Sequence, residues 1–286
     1  MAINLASKFE SKTTELLRAV AKTTSIINKS WDWDGVNAIN IYTLSDPVMN
    51  TYNPVGANRY GAPLEVQDRR QTFTLTRDRA FSNTIDMLNY QDTLEIRRPA
   101  KFLAQAIKNV LVPEVDVYRL AVLGTAGALT TDFLGATVTA RAAIITPGAT
   151  TSVNAYSNFT TMTAAITDAE APDSGRVALM TPTYYNLLKQ GGFVLNSDIA
   201  YKDRKSGDLG MVDGCEVVVV PANRMPSATD LIITHPVNLV APEKLRSYKV
   251  TKDPAGISGY LIEFRIRYDA FFDLTKLGTL AIHKTS

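Results

Sequence analysis

Two histidines and one cysteine are the reactive side chains of this sequence, and neither type is placed for chemistry. His235 closes an apolar stretch ahead of Pro236, and His283 lies three residues from the end. Neither has a paired nucleophile nearby, so both read as structural. Cys215 opens a strand next to Gly214 and reads as core packing. A zinc site needs clustered Cys and His ligands, which this chain does not supply. Glu114 and Asp116 come nearest to a carboxylate pair. Two apart on a helix, they do not face each other, and they read as solvated charges. The run Gly124-Thr125-Ala126-Gly127 follows a helix and lacks a lysine, so it reads as a helix stop rather than a phosphate loop. No catalytic, cofactor-binding or metal-binding residue is assigned, and no cofactor is expected.

The remaining chemistry is ionic. Arg59, Arg69, Arg70, Arg77 and Arg79 lie in one stretch with Asp46, Glu65, Asp68, Asp78 and Asp86. Interleaved signs favour protein–protein ion pairs over a nucleic-acid patch. Thirty basic residues face twenty-eight acidic ones, a net charge of only +2, which argues against a dedicated nucleic-acid binder. A single cysteine excludes an intrachain disulfide and points to a reducing compartment. No apolar run approaches the ~20 residues of a membrane helix, and residues 1–10 lack a signal-peptide core. The chain is expected to fold in a cytoplasm without membrane contact.

The elements that position these residues follow from periodicity. Residues 1–45 hold too few large apolar side chains for a core of their own and read as an arm, with a strand over 40–44. Residues 46–92 carry Pro47, Pro54, Gly56, Gly61 and Pro63. They then turn to β alternation at 71–76, where Phe73 and Leu75 alternate with threonines. A loop this long without structure of its own is uncommon in a compact domain and is usually functional or disordered. From Pro99 the apolar residues Phe102, Leu103, Ala106, Ile107, Val110 and Leu111 share one helical face, and Val115, Val117, Tyr118, Ala121 and Val122 continue it. This predicts one long helix over about 94–123, kinked or broken at Pro113 and stopped at Gly124 and Gly127.

Residues 125–235 read as α/β. Asn158 is placed as a helix cap, 177–180 as a buried strand, and Thr181-Pro182 as the start of a helix. Asp213-Gly214 is a hairpin turn before a strand over 215–220, and 231–233 forms another buried strand. Residues 236–286 are β. In 259–273, Ile262, Phe264, Ile266, Tyr268 and Ala270 alternate with Leu261, Glu263, Arg265, Arg267 and Asp269, and 277–282 makes a last strand.

The order of elements, more than any motif, resembles the major capsid proteins of tailed bacteriophages with the Hong Kong 97-like fold, an α+β class. The stretches that carry it are Met1-Ala2-Ile3-Asn4-Leu5-Ala6, Val112-Pro113-Glu114-Val115-Asp116-Val117-Tyr118-Arg119, Asp213-Gly214-Cys215-Glu216-Val217-Val218-Val219-Val220-Pro221 and Arg267-Tyr268-Asp269-Ala270. The resemblance implies an N-terminal arm (1–45), an extended β-hairpin loop (46–92), the spine helix of a peripheral domain (93–124), an axial domain (125–235) and peripheral-domain strands (236–286). It also implies hexamers and pentamers of an icosahedral shell, assembled in a bacterial cytoplasm around double-stranded DNA, with portal and scaffolding proteins as partners.

The extended-loop residues Arg59, Arg69, Arg70, Phe73, Leu75, Arg77 and Arg79 are then expected at subunit contacts. The arginines would meet acids of a neighbour, with the two apolar residues packing beneath. Lys8, Lys12, Arg18, Lys22 and Lys29 of the arm would face DNA without sequence preference. Some members of that family join a loop lysine to a neighbour's asparagine. This sequence has no lysine between Lys29 and Lys101, so a non-covalent shell is expected. The alternatives are an encapsulin-type compartment shell, set apart by a docked N-terminal helix, and an α/β enzyme using the middle region. A mostly-β tail-tube subunit is disfavoured by the long helix.

Overall fold

A computed structural model describes residues 21–28, 31, 33–34, 38–44, 47–66, 68–92, 98–126, 144–190 and 210–285. Its strands are β1 (Ile27–Asn28), β2 (Trp33–Asp34), β3 (Ala38–Leu44), β4 (Asp68–Thr74), β5 (Arg77–Asp86), β6 (Ile144–Pro147), β7 (Val177–Met180), β8 (Met211–Val212), β9 (Cys215–Val219), β10 (Thr229–Thr234), β11 (Leu239–Val240), β12 (Glu243–Lys252), β13 (Gly259–Tyr268), β14 (Phe271–Phe272) and β15 (Leu280–Lys284). Its helices are α1 (Met87–Asp92), α2 (Pro99–Ala106), α3 (Val112–Ala126), α4 (Ala155–Asp168) and α5 (Pro182–Gln190). The chain divides into two units, residues 30–76 and the rest. No described helix is long and apolar enough to cross a membrane.

In the larger unit, six strands pair in the order β6-β15-β10-β7-β9-β8. Strand alternation sends Val177, Leu179, Ile232, Leu280 and Ile282 to one face, where they pack with Leu120, Leu123 and Ala126 of α3. Ala178, Met180, Leu231, Ile233 and Ala281 go to the other face, against Phe159, Met162 and Ile166 of α4 and Tyr184 and Leu188 of α5. Both faces are covered, which is why these strands read as continuous apolar runs. β15 pairs with both β10 and β6, so the end of the sequence completes this sheet instead of joining 236–272. Leu277 belongs to the short helical turn before it.

A second sheet, β12-β13-β5, carries Ile262, Phe264, Ile266 and Tyr268 on the face met by Leu103 and Leu111. One continuous helix thus serves both sheets, its α2 half on the second and its α3 half on the first. Pro113 does not break it. Proline has no N–H to give to residue 109, and its ring would crowd that carbonyl. The chain widens instead into a π turn over Ile107–Leu111, where the Val112 N–H reaches back to the Ile107 carbonyl. Nor does Gly124 stop the helix, which runs on to Ala126. A Cβ at Gly124 would sit 3.0 Å from Pro226 Cγ, so the glycine admits a close neighbour. Gly127 lies outside the described residues.

Other expectations shift by a few residues. α4 starts at Ala155 after Asn154, so Asn158 lies one turn inside the helix. Thr181 caps α5 as expected, its hydroxyl accepting from the Tyr184 N–H at 3.3 Å. The β8–β9 hairpin turns at Asp213 and Gly214, with φ of 47° and 74°. Two successive positive φ values are the mark of a type I′ turn.

The smaller unit is a three-stranded sheet, β2-β3-β4, from which residues 47–66 extend without regular structure. Among its described residues only Ile39 and Leu75 are buried apolar side chains.

Candidate subunit-contact surface

Three features of the described residues stand out: an exposed apolar segment, an arginine–glutamate–tyrosine cluster, and a buried carboxylate that ties down the start of the described chain. The segment lies in the smaller unit. Val48, Met49, Val55, Tyr60, Leu64 and Val66 are all exposed, Met49 at 91% and Tyr60 at 84%. Several large apolar side chains exposed within one stretch make it a candidate interaction surface. It is locally organised. The Asn53 N–H donates to the Arg59 carbonyl at 3.0 Å, Tyr52 and Tyr60 meet edge to face at 5.1 Å, and Arg59 Nε reaches the Gly56 carbonyl at 3.4 Å. Arg70 Nε donates to Thr72 Oγ1 at 3.3 Å. In the β3–β4 register Arg69 lies opposite Thr43, and half-buried Phe73 lies opposite Ile39.

Arg77 and Arg79 take a different place from the other three arginines. β5 pairs along its whole length with β13, so Arg77, Arg79 and Phe81 share the helix-facing side with Tyr268, Ile266 and Phe264. Glu114 of α3 accepts Arg79 Nε at 2.7 Å and Arg77 at 3.4 Å. The Arg77 guanidinium stacks 4.1 Å from the Tyr118 ring centre. The Tyr268 hydroxyl donates to Glu114, and that of Tyr118 to Asp269. Burial, then the Asp269 bond, pushes the Tyr118 phenol up to about 12, and burial, then Glu114, raises Tyr268. The acid expected from a neighbouring subunit is therefore supplied, for these two arginines, by the chain's own helix. On the opposite face Arg265 Nε grips Asp78 at 2.9 Å, holding that carboxyl below the usual range.

Asp116 is not a solvated helix charge. It is fully buried and paired with buried Arg224 at 2.8 Å. Its carboxylate also accepts the Lys22 N–H at 3.0 Å and the Thr23 hydroxyl at 2.7 Å. Arg119 adds a bond to Thr23 Oγ1. A buried carboxylate needs this many donors to offset its lost hydration. The result fastens residues 22–23 to α3 and to the turn at Ala222–Arg224. Ile26 follows into the main core, and β1 adds in parallel to β11. Over residues 22–28 the arm is therefore packed on the larger unit's core. Of its basic residues, Lys22 is described, through its backbone, and Lys8, Lys12, Arg18 and Lys29 lie outside the described residues. Sequence reasoning missed this anchor. The available signal was that Asp116 shares a face with Leu120 and Leu123, at four and seven residues further on.

The histidines and the cysteine sit in packing roles. Buried His283 holds Asp230 through Nδ1 at 2.7 Å, and Asn158 Nδ2 lies 3.2 Å from Nε2. With the amide so assigned, Nε2 accepts, and the ring proton on Nδ1 goes to Asp230. Burial lowers the His235 pKa; its ring meets the Ser174 carbonyl at 3.1 Å and the Val237 N–H at 3.2 Å. Burial pushes the Cys215 thiol up to about 11, the opposite of a reactive thiolate. Among the described residues no group of three or more His, Cys, Asp or Glu could hold a metal ion.

Against known proteins, no family model and no curated sequence matches the chain. Solved structures do. The chain is similar to one from Mycobacterium phage Che8, with 14% identity and a TM-score of 0.72 over 99% of this chain and 98% of that one. It is similar to a chain of the capsid of the cyanophage P-SCSP1u, with 12% identity and a TM-score of 0.75 over 98% and 93%. It is also similar to a chain of the mature capsid of bacteriophage PhiM1, with 14% identity and a TM-score of 0.75 over 98% and 92%. At such identities the likeness defines the fold, and it spans nearly the whole of each chain. The chain has the α+β Hong Kong 97-like fold.

Proposed function

We propose that this chain is a major capsid protein, a structural subunit without catalysis that assembles with its own copies into hexamers and pentamers of an icosahedral shell. The observation that carries the reading is the set of exposed apolar side chains in 47–66, in a unit whose described residues include only Ile39 and Leu75 as buried apolar side chains. The fold shared with phage capsid chains supports it. In this reading Arg59, Arg69 and Arg70 meet acidic groups of a neighbouring subunit, with Phe73 and Leu75 packing beneath the segment. Arg77 and Arg79, paired with Glu114 of their own chain, keep a role at the contact. The shell encloses double-stranded DNA, touched without sequence preference by Lys8, Lys12, Arg18, Lys22 and Lys29. It assembles in the host bacterial cytoplasm with portal and scaffolding proteins, and ends as part of the virion.

Electron micrographs of the purified recombinant protein test this directly. Rings or closed shells are expected; a monodisperse folded monomer under all assembly conditions sinks the reading. The non-covalent character has its own test. Boiled and reduced particles run as one band near 31.3 kDa, whereas a ladder of covalent oligomers would contradict it.

A further inference from the structure

The strand β12 is the outer member of its sheet, and among the described residues only β13 pairs with it. Every residue of its ten except Thr251 is exposed. Its outer row of backbone N–H and C=O groups is a template for another strand. The register with β13 sorts its side chains. Arg246, Tyr248, Val250 and Lys252 lie opposite Ile266, Phe264, Ile262 and Tyr260, on the side where α2 and α3 pack. Leu245, Ser247, Lys249 and Thr251 lie on the other side, opposite Arg267, Arg265, Glu263 and Leu261. Lys244, Arg246, Lys249 and Lys252 face one acid within the strand, Glu243, which already pairs with Arg246 at 2.8 Å.

We propose that the outer edge of β12 takes up an acidic extended segment of a partner protein as an added antiparallel or parallel strand. Positive side chains stand on both sides of one edge, so only a ligand lying in the plane of the sheet, with side chains alternating to both sides, reaches them together. A nucleic-acid backbone would track one side and miss the other. In an end-to-end antiparallel pair of two β12 strands Arg246 would oppose Lys249 while Glu243 would oppose Lys252, so a second copy matches the edge less well than an acidic strand. The other long edge strands of the chain, β4 and β5, carry Arg69 and Arg70 against Asp68, and Arg77 and Arg79 against Asp78 and Asp86, so neither is acidic. Four basic residues against one acid along the strand favour an acidic strand over a second β12. Tyr248, 68% exposed beside buried Phe264, and Val250 supply apolar contact between the charges. The inference does not depend on shell assembly.

The test uses the full chain and a fluorescein-labelled synthetic peptide, as long as β12, that alternates glutamate with valine. Anisotropy is expected to show saturable binding that weakens with salt. It should weaken about tenfold for Lys249→Glu/Lys252→Glu, exposed changes whose fold is checked by circular dichroism. A peptide N-methylated at alternate residues keeps its charge but loses edge hydrogen bonds, and is expected not to bind. Equal binding of the N-methylated peptide overturns the proposal, since charge alone would then suffice. So does absence of binding up to about 1 mM peptide, or tighter binding of a labelled DNA duplex that the same double substitution abolishes.

Discussion

The strands β3 and β7 are both short and apolar, yet Leu179 of β7 is inaccessible to solvent while Tyr42 and Leu44 of β3 are exposed. β7 sits between two strands, with helices over both faces of its sheet. β3 also sits between two strands, but among the described residues its unit has no helix to lay over it. Strand formation needs only backbone pairing, whereas burial needs a second layer. The larger unit contains its second layer. The smaller one leaves apolar side chains exposed among its described residues, which the proposed subunit contacts would cover.

Substitutions sharpen the contrast, read as unfolding free energy of the unassembled chain. The largest loss is expected at Asp116→Ala, which removes the carboxylate paired with buried Arg224 and with Thr23, at about 3–5 kcal/mol by chemical denaturation. A loss under about 1 kcal/mol would mean that water replaces the carboxylate. Leu179→Ala comes next, at about 2–5 kcal/mol, because helices on both sides resist collapse into the cavity. Gly214→Val follows, at about 1–2 kcal/mol or more. Nothing lies within 4 Å of the added Cβ, so the cost is that of a β-branched residue at φ of 74°. Unchanged stability would break the turn assignment.

Tyr118 adds a pH dependence. Its phenol is raised in the folded chain, so its contribution is complete below the ordinary tyrosine value near 10 and is lost as pH climbs towards about 12. Melting temperature should fall over that window, and fall less for Tyr118→Phe; parallel curves would remove Tyr118 from the account. The smallest effect on the unassembled chain is expected at Tyr60→Ser with Val55→Ser, within about 0.5 kcal/mol. The same pair should prevent the particles seen by electron microscopy. Particles forming normally would mean that the exposed segment is not a contact surface.

Much of this was legible from residue order. Buried strands at 177–180 and 231–233, the Thr181-Pro182 helix start, the Asp213-Gly214 turn and the alternation in 259–268 are local signals, and local signals survive folding. The misplaced features depend on partners distant in sequence. Pro113 predicts a break when only its own missing N–H and ring are considered, and a π turn upstream absorbs both. Gly124 reads as a stop until Pro226 occupies the space its side chain would take. Arg77 and Arg79 read as free for a neighbour until pairing with β13 turns them towards Glu114.

By itself, the sequence determined the element types, the two-faced burial of the middle strands, the lack of a lysine along residues 30–100 and the Pro- and Gly-punctuated, aliphatic-poor character of 46–67. Those properties follow from periodicity and composition, which each segment carries wherever it lies. Only the tertiary structure decided that Asp116 is an anchor rather than a solvated charge, that 280–284 returns to the central sheet, and that among the described residues only β13 pairs with β12. Each of these depends on which distant groups share a small volume. The free energy of a buried charge or an unpaired strand edge is set by that company, not by the residue's own neighbours in the chain.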